Sequence, residues 1–177
     1  MTDLTLVHTS LLEDATLQAV RAMVVEAFDG GFGDHDWDHS LGGIHCIAWN
    51  DGEPIGHAAV VARRLLNGGR ALRTGYVEGM AVAPEHRRRG HGNALMEAAE
   101  GVVRDGFQVG ALSATEPGVP LYKRRGWAAW EGPLSVLAPD GPRPTPDDAG
   151  AVYVLDPAGI LDRSAELACD WRDGDVW

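Results

Sequence analysis

The chain has 177 residues, enough for one domain with a sizeable core, and 45% of them are hydrophobic, which excludes a disordered protein. No apolar run reaches membrane-spanning length and no N-terminal signal pattern is present, so a soluble cytoplasmic protein without a membrane partner is expected. The 26 acidic against 15 basic residues give a formal net charge of −11, which argues against nucleic acid as a partner; it suits a cationic small molecule, but by itself is explained as well by general solubility.

Leu4 to His8 alternates apolar and polar residues and predicts a first or edge strand. Ser10 or Asp14 is a candidate cap for the next helix, whose apolar face is Leu17, Val20, Met23, Val24 and Ala27. Asp29-Gly30-Gly31 stops it. Asp34-His-Asp-Trp-Asp-His39 holds metal-ligand residue types, but no second ligand cluster accompanies them, so no metal is expected. It reads either as a short solvated helix with Trp37 turned inward or as an acidic lip over a cation.

Ile44 to Trp49 and Ile55 to Leu66 predict a hairpin around Asn50-Asp51-Gly52, and Asn67-Gly68-Gly69 predicts a second turn before a strand over Leu72 to Val82. Cys46 and Cys169 are too few to imply a disulfide framework and are expected as buried free thiols.

Pro84 ends the strand because it has no N–H to give. Arg87-Arg-Arg-Gly-His-Gly92 follows, and then Ala94, Leu95, Ala98, Ala99, Val102 and Val103 recur at helical spacing. A basic, glycine-containing turn thus joins an apolar strand to a helix N-terminus. Helix N-termini carry N–H groups without intrahelical acceptors and partial positive charge, so this arrangement suits a pyrophosphate. The chain has neither a P-loop nor the Gly-x-Gly-x-x-Gly of dinucleotide folds.

Val109 to Leu112 predicts a short strand parallel to its neighbour through the helical crossover. Val119 to Arg125 predicts a short helix ended by Gly126. Trp127, Trp130 and Leu134 to Leu137 continue as strand or irregular structure. Pro139 to Asp148 reads as a loop, and Ala151 to Leu155 as the last strand. Two tryptophans within Asp170 to Trp177 predict that this stretch is docked rather than frayed.

Arg87-x-x-Gly90-x-Gly92 after an apolar strand resembles the acyl-coenzyme A pyrophosphate signature of the GNAT superfamily of N-acetyltransferases. Gly75-Tyr-Val-Glu-Gly-Met-Ala-Val82, Leu112-Ser113, Leu121-Tyr122, Arg125-Gly-Trp127, Gly132-Pro-x-Ser-Val-Leu-Ala-Pro139, Thr145-Pro-Asp-Asp148 and Cys169 to Trp177 narrow the resemblance to the aminoglycoside 2′-N-acetyltransferases. It runs from about Val7 to the last residue. It implies a single acetyltransferase domain over residues 1–177 with a mixed α/β fold: a central, mostly antiparallel sheet, splayed at the cofactor and flanked by helices. It also implies direct acetyl transfer from acetyl-coenzyme A to an amine, no metal, and a homodimer.

Glu78 lies in an otherwise apolar strand beside the turn, which a half-exposed strand would also explain; the resemblance makes it the base that deprotonates the amine. Tyr122 is either a core tyrosine or, as the resemblance implies, the acid for the leaving thiolate. The implied cofactor-binding residues are Met80, Ala81 and Val82 through main chain, and Arg87, Arg88, Arg89, Gly90, His91 and Gly92 around the pyrophosphate. The implied acceptor site gathers Asp36, Glu78, Gly79, Ser113, Asp148, Asp175 and Trp177, with Trp177 offering a flat face to a sugar ring and the acids meeting ammonium groups in one cleft. Gly79 is a candidate bulge. The rival readings are another acetyltransferase of the superfamily acting on a polyamine, metabolite or protein N-terminus, and a non-catalytic binding module for coenzyme A or an aminoglycoside.

Overall fold

The computed structural model describes residues 3–177. The alternating N-terminal segment forms β1 (Asp3–His8), antiparallel to β2 (Ile44–Asn50). Between them lie α1 (Asp14–Ala27) and α2 (Asp34–His39). Neither expected cap acts on α1. Glu13 holds the N-cap position with no side-chain bond, and Asp14 is the first helical residue, where its charge meets the dipole. Ser10 sits in a 3-10 turn, Thr9–Leu11, with its hydroxyl 2.8 Å from His8 Nδ1.

β2 turns into β3 (Glu53–Asn67) through Asp51 and Gly52, whose φ values of +50 and +85 give the left-handed pair that a two-residue hairpin of this twist requires. A second glycine turn leads into β4 (Arg70–Val82). After a 3-10 turn at Pro84–His86 comes α3 (His91–Gly106). Leu95, Met96, Ala99 and Val103 form its buried face, whereas Ala94 is exposed and Glu100 is buried, so the apolar stripe is rotated from the one expected.

β5 (Val109–Ser113) is parallel to β4, as the crossover requires. α4 (Val119–Arg124) ends at Gly126, whose φ is +86. Then come β6 (Ala128–Ala129), β7 (Leu134–Ala138), β8 (Gly141–Pro144), β9 (Val152–Leu155) and β10 (Leu167–Asp170). The sheet order is β6-β9-β5-β4-β3-β10-β7-β8, with β2 also on β3 and β1 on β2. Most pairings are antiparallel; β4 with β5 and β10 with β7 are parallel. The mixed α/β class with a mostly antiparallel sheet and flanking helices is as expected. The β4–β5 register covers only Thr74–Tyr76 with Val109–Ala111, and both strands run on past it.

Two expectations about the C-terminal strands also fail. Residues 139–148 are not all loop, because β8 pairs with β7 from Ser135–Pro144 to Ala138–Gly141. Pro142 and Pro144 are tolerated because β8 ends the sheet order and has no further neighbour to serve. β9 is not the last strand either: Leu167–Asp170 forms β10, parallel to β7 and antiparallel to the end of β3.

The chain packs as two compact units. The first comprises residues up to Val61 with Val77–Val102. Its core joins Val20, Met23 and Val24 of α1, Trp37 of α2, Ile47 of β2, and Ala81 and Ala83. Burial of each large side chain there contributes about 1.5–3 kcal/mol. The second unit comprises Ala62–Tyr76 and Val103–Trp177. In it, buried Arg63 donates from Nε to Asp170 Oδ1 (2.9 Å) and from Nη2 to the carbonyls of Asp170 (3.0 Å) and Val176 (2.8 Å). The Arg63 guanidinium also lies 4.6 Å from the centroid of the buried Tyr76 ring. These bonds dock the C-terminal stretch, as its tryptophans predict. Among the described residues no helix is long and apolar enough to cross a membrane.

Candidate active site

In the first unit, Val77 to Val82 carries the candidate base. Glu78 is half-buried, and Gly79 beside it has φ of +55, so the backbone leaves the regular strand there. An added Cβ at Gly79 would lie 3.0 Å from Ser40 Oγ and 3.3 Å from the His57 ring. That left-handed, confined position is one only glycine fills without strain, and it fits the expected bulge. His57 Nδ1 lies 2.8 Å from the Gly79 carbonyl. Met80 and Val82 are half-buried and Ala81 is buried.

The turn after β4 is built as an anion site would be. Arg88 has φ of +61 and Gly90 φ of +90, and the exposed Arg87, Arg88, Arg89 and Gly90 precede the first turn of α3. Turns of this kind gather amides into a concavity for an anion. The arginines do not act alike. Arg87 donates from Nε to the Val82 carbonyl (3.1 Å) and from Nη2 to the Ala27 carbonyl (2.6 Å). Its guanidinium therefore shapes the turn, tying it to the end of β4 and to the C-terminus of α1. His91 packs edge-on to His86, with centroids 6.0 Å apart. Burial, His86 and Arg89 together lower the His91 pKa, so the ring favours its neutral form.

Asp36 is half-buried in α2, and its Oδ2 accepts the Gly33 N–H at 2.7 Å. One role of this carboxylate is thus to cap its own helix. α2 also ends beside Gly79: Ser40 Oγ donates to the Asp36 carbonyl (3.2 Å) and is the nearest atom to the absent Cβ of Gly79. Trp37 is buried, as one reading of this segment expects, with its ring 6.4 Å from His45 and 6.0 Å from His57.

In the second unit the remaining candidates are linked one to the next. Trp177 Nε1 donates to Thr145 Oγ1 at 2.8 Å. The Thr145 hydroxyl bonds in turn to the Asp148 carboxylate. Burial raises the Asp148 pKa, and the nearby charges of Asp175 and Asp147 raise it further, against the Thr145 bond. Asp148 and Asp175 therefore lie close enough to feel each other. The Asp148 carbonyl accepts from Ala151 N (3.0 Å), and the Ala151 carbonyl accepts from Ala114 N (2.8 Å), which places exposed Ser113 at the same edge. Trp177 is only 4% exposed, so its ring anchors the C-terminal stretch and does not present the open face expected for a sugar.

Tyr122 is buried on α4, 6.4 Å from the Trp127 ring and 6.5 Å from the Tyr153 ring. Burial pushes its phenol up to about 12. Both cysteines are free and buried, and burial raises Cys46 to about 12 and Cys169 to about 11. Both stay protonated and are poor nucleophiles. Sequence reading misses Thr145, Arg63, and the buried pair His45 and His57 as supports of the site. Thr145 alone carries a local signal, lying in the motif that ends at Asp148.

The chain matches the Acetyltransferase (GNAT) family over residues 12–127. It is 51% identical to an aminoglycoside 2′-N-acetyltransferase of Mycolicibacterium fortuitum over 176 residues, covering 97% of this chain and 90% of that protein. Among solved structures, the Escherichia coli GNAT family N-acetyltransferase YhbS, crystallised in complex with CoA, aligns over 95% of this chain and 89% of its own at a TM-score of 0.65 and 16% identity, a likeness of fold. Eis1 from Mycobacterium abscessus aligns at a TM-score of 0.61 and 25% identity over 76% of this chain, which spans 32% of that longer protein. The fold, the strand-turn-helix and the extent of the first likeness agree: the chain belongs to the aminoglycoside 2′-N-acetyltransferase family of GNAT acetyltransferases.

Proposed function

We propose that the chain transfers the acetyl group of acetyl-coenzyme A directly to the 2′-amino group of an aminoglycoside and thereby confers resistance to such antibiotics. The observation that carries this reading is one continuous stretch: half-buried Glu78, left-handed Gly79, the end of β4, the left-handed Arg88 and Gly90, and then α3. It sets a carboxylate a few residues from a turn suited to pyrophosphate. Main chain at Met80, Ala81 and Val82 would pair with the amide-rich arm of the cofactor. Arg88, Arg89, Gly90, His91 and Gly92 would meet its phosphates, with Arg87 shaping the turn.

In the reaction the amine nitrogen forms a bond to the thioester carbonyl carbon, and the carbon–sulfur bond breaks. Glu78 takes the proton the ammonium must lose, through water where the two do not touch. Tyr122, whose raised pKa keeps its proton in place, donates to the departing thiolate and is restored by the second proton that the nitrogen sheds as the tetrahedral intermediate collapses to the amide, so amide and free thiol leave together. The buried, protonated cysteines support transfer without an acetyl-enzyme. On the acceptor, Asp36, Asp148 and Asp175 supply charge-assisted bonds to ammonium groups, and Ser113 supplies a hydroxyl. Trp177 contributes by holding Thr145 and hence Asp148 in place. The proposal includes a homodimer working in the cytoplasm.

The test is thiol release from acetyl-coenzyme A with aminoglycosides bearing a 2′-amino group, with counterparts bearing a 2′-hydroxyl, and with spermidine. Turnover confined to the 2′-amino compounds is expected. Turnover with both aminoglycoside sets would overturn the position of transfer, and turnover with spermidine alone would overturn the substrate class. Glu78→Gln and Tyr122→Phe are each expected to lower kcat by about 100-fold, the usual scale of one proton-transfer group. A binding module would show no turnover to lose.

A further inference from the structure

His45 and His57 are fully buried in the first unit, on adjacent strands. Two buried imidazoles side by side are costly unless their hydrogen bonds are all met. Here they are met in one direction. His57 Nδ1 lies 2.8 Å from the Gly79 carbonyl, which can only accept, so Nδ1 carries the proton. A neutral His57 then has a bare Nε2, which accepts from His45 Nδ1 at 2.9 Å. His45 Nε2 is bare in turn and accepts from the Thr9 hydroxyl at 2.7 Å. Thr9 Oγ1 itself accepts the Gly42 N–H at 2.9 Å. The Gly43 carbonyl, at 3.3 Å from Thr9 Oγ1, is the weaker claimant for the single hydroxyl proton. Protonating His57 at Nε2 would set two N–H groups against each other across 2.9 Å, whereas a proton on His45 Nε2 would turn the Thr9 hydroxyl away from the ring.

The chain of donors ends on the carbonyl of the left-handed Gly79. Gly79 O belongs to the peptide that joins Gly79, the neighbour of Glu78, to Met80. That peptide is also confined by Ser40, and Trp37 lies beside both imidazoles. Apolar residues would fill the same space between β2 and β3, but none would put an N–H on this carbonyl.

We propose that His57, its tautomer imposed by His45 and Thr9, is a positioning residue that locks the Gly79–Met80 peptide and so fixes the direction in which Glu78 faces the amine. The inference rests on the reading of Glu78 as the base. Misplacing a catalytic group by about 1 Å costs on the order of 100-fold in rate. His57→Leu is accordingly expected to lower kcat by about 10- to 100-fold with little change in the KM for acetyl-coenzyme A. His57→Asn, whose amide nitrogen sits near the position of Nδ1, recovers most of that loss. His45→Leu, which leaves His57 intact but frees its tautomer, falls between the two.

Activities are compared at equal folded fraction with Val60→Ala, a core truncation on the same strand outside the chain of imidazoles. A His57→Leu protein no more impaired in kcat than Val60→Ala would overturn the proposal. Nitrogen-15 NMR of the wild-type imidazoles reads the lock without any substitution. Both rings are expected as neutral Nδ1–H tautomers, and an Nε2–H signal from either would overturn it. Glu78→Gln is assayed alongside. Full activity in that variant refutes the base and with it the catalytic consequence, whereas the NMR reading still decides whether the tautomers are imposed.

Discussion

Asp148 illustrates how the behaviour of a single carboxylate depends on its neighbours. Its pKa is raised by burial first and by Asp175 and Asp147 after that, while the Thr145 hydroxyl pulls it down. Asp175→Asn removes one like charge, so the Asp148 carboxyl should titrate at lower pH than in the wild type. If Asp175 binds the acceptor as proposed, the same substitution should raise the aminoglycoside KM several-fold, with kcat little changed. Carbon-13 NMR titration of the Asp148 carboxyl checks the first outcome and steady-state kinetics the second. No movement of the Asp148 titration would mean that the two acids do not interact. Glu78 stands out as a candidate in the sequence because a carboxylate interrupts an apolar run beside a recognisable turn. The imidazole pair was not, because His45 and His57 meet only through the register of β2 and β3, in which Ile47, not His45, stands opposite His57. Nothing in the composition of either strand reveals a diagonal contact.

The turn between β4 and α3 was read correctly as an element and too uniformly in its parts. Three consecutive arginines look alike in a sequence, but they differ in what their side chains touch. Arg87 is tied to the Val82 and Ala27 carbonyls, so Arg87→Ala should lower the melting temperature, by the equivalent of about 1 kcal/mol, and weaken acetyl-coenzyme A binding through a loosened turn. Arg88→Ala and Arg89→Ala should raise the KM for acetyl-coenzyme A, by about tenfold at most, and leave the melting temperature in place. Equal melting temperatures for all three variants would contradict this division of labour. The strands missed or misread by sequence share a cause of the same kind. β8 and β10 are four residues each, too short for periodicity to register, and β8 carries two prolines that its place at the end of the sheet allows. Their existence is decided by β7, which lies between them in the sheet order.

For the molecule as a whole, acid stability sets two effects against each other. With a formal net charge of −11, the folded chain repels itself near neutrality, and protonating carboxylates as the pH falls relieves that repulsion. The buried imidazoles act the other way. Burial, with His8 adding to the effect at His45 and His45 adding to it at His57, lowers the pKa of His45 to about 4 and of His57 to about 3. In the unfolded chain both titrate near the ordinary value of 6.5. Between those limits the unfolded state binds more protons than the folded one, so stability rises with pH there. The contribution is complete above 6.5 and is lost as the pH falls towards 4 and below. When both unfolded rings are protonated and both folded rings are not, the slope approaches about 2.7 kcal/mol per pH unit. Most carboxylates titrate lower, near about 4, so between about pH 6.5 and 5 the imidazoles should prevail and the protein should lose stability despite its excess of acids. Urea unfolding from about pH 7.5 to about pH 5 measures the slope. A His45→Leu/His57→Leu variant should be less stable at neutral pH, yet its stability should hold or rise over the same interval, because only charge relief is left. A wild-type protein that gains stability as the pH falls from 6.5 would show that self-repulsion dominates and that the buried imidazoles accept protons without unfolding the chain.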